Sequence, residues 1–317
     1  MKEAKKEFTF AILTYKQENF ILDQLESIKY QIENYGQDYE VSLVLSDDCS
    51  PDNTVGVAKK WLECYKRLFA NIKVLAQEKN QGITKNFVTM MKAVETDQFK
   101  CLGGDDLYYK NNIFEMNEGA DVVISATAKF HDCEILPFEK SYNQRKMLLA
   151  TNLKEYLSNY IKYANCIETP GASYRHELMT EAVYKSLAAY SWLEDMPMWN
   201  NFFNQKGVTA RATEKIYIIY RYDVGISNNR DNVVHTGFKA DDDKVQKEIH
   251  TKRNSLSNVF FKLKNSLAKK AIKYWYNEHN PRLKAFNQNC KAVEAEGSAY
   301  LEEIMGRVAE FKKENGL

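Results

Sequence analysis

The 317-residue sequence predicts an α/β protein in which a mainly parallel sheet is flanked by helices and followed by a mainly helical C-terminal extension. Two observations predict this class. Apolar strand-like runs alternate with amphipathic helical stretches over roughly the first hundred residues, and from about residue 240 only helical periodicity remains. Strands that alternate with helices in this rhythm form parallel sheets through right-handed crossovers.

The elements of the N-terminal part follow from apolar periodicity and capping residues. They are a strand over residues 8–14, a helix that ends at Gly36, a strand over 41–45, a helix capped by residues 50–54, a strand over 72–75, a helix over 84–94 and a strand that ends at Asp105. The carboxyl ends of parallel strands share one edge of the sheet, and ligands collect at that edge.

The rest of the chain gives weaker signals. They predict strands over residues 121–126 and 216–222 and a helix over 153–163. Further on, an apolar stripe recurs at helical spacing, Asn280–Pro281 breaks it, and a last helix follows. The stripe consists of Leu256, Val259, Phe260, Leu263, Leu267, Ala271 and Trp275. We expect one α/β domain over residues 1–240 and a basic, helical extension over 241–317.

Charge is distributed unevenly along the chain. The formal net charge is +1, but residues 244–284 contain eleven Lys or Arg against two acids. A basic helix with aromatic residues can lie on an anionic membrane surface, although a charge run is more often a solvated face. Binding to nucleic acid is disfavoured, because no recognised nucleic-acid-binding motif accompanies the charge.

Cysteine spacing and hydropathy limit the cellular locations that we expect for the protein. The six cysteines include no C-x-x-C pair and have no neighbouring histidines, so we expect reduced thiols and no zinc cluster. No secretory signal pattern precedes the first strand, and no run of ~18 apolar residues could span a bilayer. We expect a cytoplasmic protein, which the basic run would allow to contact the inner face of the cell membrane.

Three pairs of acidic residues stand out, and each is expected to end a strand or to open a loop. The pairs are Asp47–Asp48, Asp105–Asp106 and Glu194–Asp195. Adjacent carboxylates repel each other, so a fold that keeps them either leaves them in water or supplies a cation. The sequence therefore predicts a site for a divalent metal or a nucleotide.

Six segments, in order along the chain, resemble the inverting family 2 glycosyltransferases of the GT-A fold, especially bacterial enzymes that build surface polysaccharides. The segments are residues 12–20, 45–54, 80–87, 101–108, 170–175 and 192–199. The resemblance implies a GT-A domain that binds a UDP-sugar and transfers a hexosyl or N-acetylhexosaminyl group, with inversion, to a hydroxyl of a glycan or a lipid-linked acceptor.

The resemblance also implies a metal site. The last acid of the D-x-D-like motif, Asp106, would hold Mn²⁺ or Mg²⁺, and Asp105 would lie near the ribose. A bound divalent cation stabilises the diphosphate that departs, and hard cations of this kind prefer oxygen ligands. Asp223 stands near the position where the family often has a metal-binding histidine. Without the resemblance, an Asp-Asp turn after a strand would be an equally good interpretation of the motif.

For the nucleotide, the resemblance implies that Asp48 accepts the N3–H of uracil and that Tyr15 stacks on the base. Thr14 and Glu18 belong to the same loop, and Asp47 would be a supporting acid. Lys85 could contact the diphosphate as a point charge. The structural alternatives are a helix-capping acid, a core tyrosine and a solvated lysine.

Inversion requires one base that takes the acceptor's hydroxyl proton as attack proceeds. The resemblance assigns this role to Asp195, with Glu194 as its neighbour in donor or acceptor binding. The structural alternative is an acidic helix start, because acids favour the first turn of a helix.

Two other functions are open at this point. A sugar-phosphate nucleotidyltransferase shares the sheet architecture, but the first strand leads into no glycine-rich phosphate loop. A non-catalytic glycan-assembly or scaffold protein could keep the fold without turnover. Retention of both Asp106 and Asp195 argues against the scaffold.

Overall fold

The computed structural model of the protein describes residues 5–138, 141–222, 224, 232–250 and 255–317. Its centre is a four-stranded parallel sheet with strand order β3-β2-β1-β4. The strands are β1 (Lys6–Thr14), β2 (Tyr39–Asp47), β3 (Asn71–Ala76) and β4 (Phe99–Gly103). The parallel sheet predicted from the sequence is confirmed.

Three helices connect these strands: α1 (Ile21–Tyr35), α2 (Thr54–Tyr65) and α3 (Ile83–Ala93). Helix α1 ends where the sequence predicts, because the N–H of Gly36 donates to the carbonyl of Ile32 at 2.9 Å. The apolar residues Ile21, Leu25 and Ile28 are fully buried against the sheet. Burial of an apolar side chain contributes ~1.5–3 kcal/mol, so this face anchors the helix.

Two smaller sheets continue the fold. One has the order β10-β6-β9, from Ala210–Ala212, Val122–Ile124 and Ala172–Tyr174, and the other has the order β5-β11-β7-β8, from Leu107–Tyr108, Ile218–Arg221, Thr127–His131 and Glu134–Ile135. Strands β6 and β11 lie inside the two predicted strand segments. The other strands were missed, because runs of two to five residues are too short to show alternation.

The remaining helices are α4 (Tyr142–Leu149), α5 (Leu153–Tyr160), α6 (Glu181–Leu187), α7 (Asp195–Asn204), α8 (Asn232–Glu248), α9 (Leu256–Ala271), α10 (Asn277–His279) and α11 (Pro281–Asn315). A π-helical turn, Ile272–Tyr276, joins α9 to α10. Asn280 caps α11 by accepting the N–H groups of Arg282 and Leu283. In the part of the chain that the structure describes, no helix is long and apolar enough to cross a membrane.

Helix α11 packs into the core of the protein. Tyr300, Leu301 and Ile304 are buried, and the Tyr300 hydroxyl donates to the carbonyl of Tyr108 at 2.7 Å. Near the C-terminus, Phe311 lies 6.0 Å from Tyr65 between ring centroids. The helical C-terminus is confirmed, and the division of the chain into domains at residue 240 stays a prediction.

Replacement of Leu301 by alanine should lower the free energy of unfolding by ~2–5 kcal/mol, because Leu301 is fully buried and its loss leaves a cavity in the core that α11 packs into. Urea denaturation followed by circular dichroism measures the change. Lys313→Ala, at an exposed position of the same helix, is the control and should stay within about 0.5 kcal/mol of the parent. Equal stability of the two variants would contradict the packing of α11.

Candidate active site

The carboxyl ends of β1, β2 and β4 meet at one edge of the parallel sheet. In the strand register Thr14 pairs with Asp47, and Leu13 pairs with Gly103. The pairing of β1 and β2 continues past their ends, because the N–H of Asp48 donates to the carbonyl of Thr14 at 3.0 Å. The first two acidic pairs therefore begin next to each other.

Asp47 holds the loop that follows β2. Its buried carboxylate accepts hydrogen bonds from the Thr14 hydroxyl (2.8 Å), the Ser50 N–H (2.8 Å) and the Ser50 hydroxyl (2.6 Å). The same Ser50 hydroxyl accepts the N–H of Lys16 at 2.9 Å. Lys16 and Cys49 both have a φ of 58°, a left-handed conformation that is uncommon for residues other than glycine. Asp47 therefore stabilises this loop, and its supporting role at a nucleotide site stays a prediction.

Asp48 joins this loop to the start of α3. Its two carboxylate oxygens accept the N–H groups of Gln81 (2.7 Å) and Gly82 (2.8 Å), and the residue is buried. Each carboxylate oxygen has a second acceptor site, so these bonds leave capacity for a ligand donor. Gly82 has a φ of 89°, which favours glycine at this turn.

The other predicted nucleotide contacts surround this loop. Tyr15 is half-buried, and the Lys16 ammonium lies 5.1 Å from the centroid of its ring. Glu18 accepts the N–H of Asn53 at 3.0 Å, which fixes it against the start of α2. Lys85 is exposed in the first turn of α3.

Gly104 allows the Asp105–Asp106 pair to lie close to β1. A Cβ atom on Gly104 would lie 2.3 Å from the Gln17 Oε1 and 2.8 Å from the Thr14 Cγ2, so only glycine fits there. Asp106 is buried, and its Oδ1 accepts the N–H of Arg221 at 2.9 Å. Asp105 is only half-buried, which leaves it the more accessible acid of the pair.

Arg221, on β11, was not singled out from the sequence. Its guanidinium donates to the Asp105 carbonyl (3.0 Å) and to the Asp23 carboxylate (2.6 Å). The same group lies 4.7 Å from the ring centroid of Phe20 and 4.5 Å from that of Phe130. Arg221 therefore ties the turn of the second acidic pair to α1. Neither the sequence spacing nor any local motif signals this contact.

Burial sets the protonation behaviour of the second pair. It raises the pKa of Asp106 well above its usual range, and the neighbouring Asp105 charge raises it further. Burial also raises the pKa of Asp105. Lys100, buried in β4, donates to the Cys101 carbonyl at 2.7 Å, and burial lowers its pKa to about 8. A cation beside the two acids would relieve their repulsion.

The donor set fits a divalent metal ion. Asp105 and Asp106 supply carboxylate oxygens, and the described residues contain no group of three or more Asp, Glu, His or Cys placed to bind a metal. Mg²⁺ is commonly held by one or two carboxylates together with substrate phosphates and water, so a partial protein set is compatible with it. Asp223, the other predicted ligand, lies outside the described residues.

The third acidic pair begins α7. The Asp195 carboxylate accepts the N–H of Met196 (2.7 Å) and the side-chain amide of Asn165 (2.8 Å). Burial raises the pKa of Asp195, and these two hydrogen bonds oppose the rise. Burial and the Asp195 charge together raise the pKa of Glu194 to about 8. The acidic helix start that the sequence offered as an alternative is present, and it coexists with perturbed carboxyl groups.

Contacts through Ser191 place the third pair beside the first. The N–H of Thr84 donates to the Ser191 carbonyl at 3.3 Å, next to the turn at Gly82 that Asp48 holds. The N–H groups of Ser191 and Trp192 both donate to the buried Asp241 of α8, at 2.7 and 2.6 Å. Asp241 therefore fixes the turn that leads into Glu194. Like Asn165 and Arg221, Asp241 carries no sequence signal for this role.

Electrostatics link the third pair to β4 as well. Burial raises the pKa of the Cys101 thiol to about 12, and the Glu194 charge contributes to the rise. Cys101 lies four residues before Asp105 on the strand that carries the second pair. The hydrogen bond between Thr84 and Ser191 brings the third pair to the end of the parallel sheet where the first two pairs lie.

Residues 9–172, just over half of the chain, match the model of glycosyl transferase family 2. The chain belongs to this family. The resemblance seen in the sequence is therefore confirmed, and the segments after β1, β2 and β4 and the Asp105–Asp106 turn fall within the matched residues.

Individual relatives of this family 2 chain are distant. The dTDP-rhamnosyl transferase RfbG of Shigella flexneri is 28% identical over 132 residues, which are 40% of this chain and 42% of that protein. A crystal structure of S. aureus TarS is 20% identical with a TM-score of 0.50, covering 96% of this chain and 53% of that one. The mannosyltransferase PcManGT from Pyrobaculum calidifontis, in complex with GDP-Man and Mn²⁺, is 14% identical with a TM-score of 0.48, covering 98% and 81%. The likeness to TarS shows the fold.

The raised pKa of Glu194 gives a signed pH dependence. The folded protein holds this proton up to about pH 8, whereas the unfolded chain releases it near the ordinary value of 4.5. Glu194 therefore contributes stability below its unfolded pKa, and this contribution is lost as the pH rises through the folded pKa. Glu194→Gln should flatten the fall in melting temperature across this window, measured by differential scanning fluorimetry.

Glu310→Gln, at an exposed position of α11, is the matched control and should keep the pH profile of the parent. A Glu194→Gln profile that parallels the parent's would show that Glu194 titrates normally in the folded protein.

Proposed function

We propose that this chain is an inverting, metal-dependent glycosyltransferase that moves a hexosyl or N-acetylhexosaminyl group from a UDP-sugar to a hydroxyl of a glycan or a lipid-linked saccharide, in the synthesis of a bacterial polysaccharide. The observation that carries the proposal is the convergence of Asp48, Asp105–Asp106 and Glu194–Asp195 at one end of the sheet. Single displacement needs these three functions together: a nucleotide acceptor group, a charge-stabilising site and a base.

Asp195 is the proposed base. The Met196 N–H and the Asn165 amide hold its carboxylate in one orientation, which suits a group that must meet the acceptor hydroxyl at hydrogen-bond distance. Its raised pKa makes it a better proton acceptor than an exposed aspartate. Glu194, with a pKa of about 8, holds a proton at neutral pH and can donate a hydrogen bond to donor or acceptor.

Asp106 is the proposed metal ligand, and Asp223 is a proposed second one. One oxygen of Asp106 accepts the Arg221 N–H, so the other oxygen is the one available to a cation. The greater exposure of Asp105 favours a direct role for it as well, either at the ribose or at the metal. Bound Mn²⁺ or Mg²⁺ would stabilise the negative charge of the departing diphosphate. Lys85, exposed at the start of α3, is the proposed point charge for the same group.

Asp48 and Tyr15 are proposed to bind the base, with Thr14 and Glu18 shaping the loop around them. A carboxylate that accepts an N3–H suits uracil, and it suits thymine equally, because the two bases share this group and differ in one methyl. The relative RfbG is named a dTDP-rhamnosyl transferase, so a dTDP-sugar is the second candidate donor.

A polar cavity of about 270 Å³ is the proposed acceptor site, because its wall includes a residue next in sequence to Asn165, which bonds the proposed catalytic base Asp195. Cys166 and Glu168 form part of its wall, and the adjacent Asn165 bonds Asp195. Gln144 and Lys269 line the same cavity. Polar lining of this kind suits a saccharide, whose hydroxyls need hydrogen-bond partners. A cytoplasmic location, with peripheral contact at the inner face of the cell membrane, is part of the proposal.

Asp195→Asn should lower sugar transfer by about 10²-fold or more, because the amide cannot accept the acceptor's proton. UDP affinity should change little, since the hydrogen bonds of Asp195 go to Met196 and Asn165 and not to the loop proposed to bind the nucleobase. Nucleotide release from UDP-, dTDP- and GDP-sugars with Mn²⁺ or Mg²⁺ measures transfer, and calorimetry measures UDP binding. Asp242→Asn, an exposed neighbour of Asp241 on α8, is the control. Transfer by Asp195→Asn at the parent rate would refute the assignment.

Two further assays, pyrophosphate release and glycan binding, separate the alternatives from a glycosyltransferase. A nucleotidyltransferase would release pyrophosphate from a nucleoside triphosphate and a sugar phosphate, and a scaffold protein would bind glycan without consuming any donor.

Asp106→Ala should weaken UDP binding by at least about tenfold when Mn²⁺ is present and have little effect when it is chelated, because the loss acts through the metal. Asp105→Ala, measured in parallel, shows which acid carries more of the effect. Calorimetric titration of UDP with Mn²⁺ and with a chelator gives all the affinities. Equal losses with and without the metal would point to a structural role for Asp106.

A further inference from the structure

Helix α9 turns its apolar stripe toward solvent. The sequence periodicity predicted this helix correctly, but the stripe does not pack into the core. Leu256 is 79% exposed and Phe260 is 67% exposed, and a contiguous set of exposed apolar side chains is informative where a single one is not. The exposed stripe consists of Leu256, Val259, Phe260, Leu263 and Leu267, and we call it the docking face.

The opposite side of α9 fixes this orientation. Asn265 accepts a hydrogen bond from the buried Lys146 ammonium (2.6 Å) and donates to the Tyr160 hydroxyl (3.0 Å). Phe261 stacks on Tyr163 with the ring centroids 4.4 Å apart. Ile272, after the helix, is buried as well. The helix is therefore held to the protein by a specific polar and aromatic side, and its apolar side is left outside.

Lysines accompany the docking face. Residues 255–277 contain five lysines and no acid: Lys262, Lys264, Lys269, Lys270 and Lys273. At 100° per residue, Lys270 lies within the docking face, Lys264 lies about 80° to one side of its centre, and Lys262 and Lys273 lie about 100–120° to the other side. Three exposed aromatic residues, Tyr274, Trp275 and Tyr276, follow in the π-helical turn. An exposed apolar patch with a charged rim marks an interaction site.

We infer that the docking face inserts into the headgroup region of an anionic lipid bilayer. An amphipathic helix with lysines beside its apolar side lies in this plane, where its lysine stems reach along the apolar surface to the lipid phosphates. Tyrosine and tryptophan favour the same interface. A second copy of the chain is a poorer occupant, because a two-fold contact through this face would bring its lysines against those of the other copy.

The inference rests on the peripheral membrane contact in the proposed function and gives it a surface, and it does not depend on the proposed transfer reaction. Within the basic run at residues 244–284, it assigns membrane contact to a single helix face. The apolar residues of that face, more than the lysines, would provide the binding. Lys269 lies on the other side of α9 from the docking face and lines the 270 Å³ cavity, so α9 would stand between a bilayer at the docking face and the proposed acceptor site.

Co-sedimentation of the full chain with phosphatidylcholine vesicles, with and without phosphatidylglycerol, tests the inference. The parent should sediment with the vesicles that contain phosphatidylglycerol. It should stay in the supernatant when the vesicles consist of phosphatidylcholine only. F260E/L263E should lower the partition constant at least about tenfold, since apolar insertion is lost. K264E/K273E should lower it to a similar degree through charge. These side chains lie in solvent, so the variants should keep the parent's circular dichroism.

The matched control is K59E/K185E, which makes the same change of charge at exposed positions of α2 and α6 and should bind as the parent does. Three results would overturn the inference: a parent that ignores the anionic vesicles, an F260E/L263E variant that binds like the parent, or a K59E/K185E variant that loses as much binding as K264E/K273E. A dimer in light scattering that F260E/L263E converts to monomer, without vesicle binding, would make this face a self-association surface instead.

Discussion

The buried guanidinium of Arg221 is the contact on which the candidate site depends. It reaches from β11 to the Asp23 carboxylate on α1 and to the Asp105 carbonyl, while its own backbone N–H binds Asp106. Loss of one partner of such a buried pair typically costs ~3–5 kcal/mol, because the other charge is left without compensation. The turn that carries the second acidic pair is thus held by a residue more than a hundred positions away in sequence.

The other two acidic pairs rely on the same kind of support, in which a buried carboxylate accepts hydrogen bonds from backbone N–H groups. Asp48 gathers the N–H groups of the turn before α3, and Asp241 gathers those of the turn before Glu194. These two turns touch through Ser191. The geometry around Asp195 therefore depends on α8, an element outside the residues that match the family.

Much of the N-terminal fold could be predicted from sequence, because strands of five or more residues and helices of three turns leave clear periodic patterns. Asp47, Asp48, Asp105 and Asp106 could be found because they follow such strands. Arg221, Asp241 and Asn165 could not, since each acts on residues that lie far from it in sequence. The periodicity of α9 revealed an apolar side but could not tell what lies against it. Only the contacts of Asn265 and Phe261 show that this side points away from the protein.

The backbone conformation of the loop after β2 affects how tightly a nucleotide would bind there. Two residues other than glycine, Lys16 and Cys49, are kept in left-handed backbone conformations by the Asp47 and Ser50 hydrogen bonds. Such conformations cost ~1–2 kcal/mol each, and that cost falls on folding. A nucleotide arriving at this edge would find the loop already rigid, so little conformational entropy would be lost on association. Affinity here would come from preorganisation more than from induced fit.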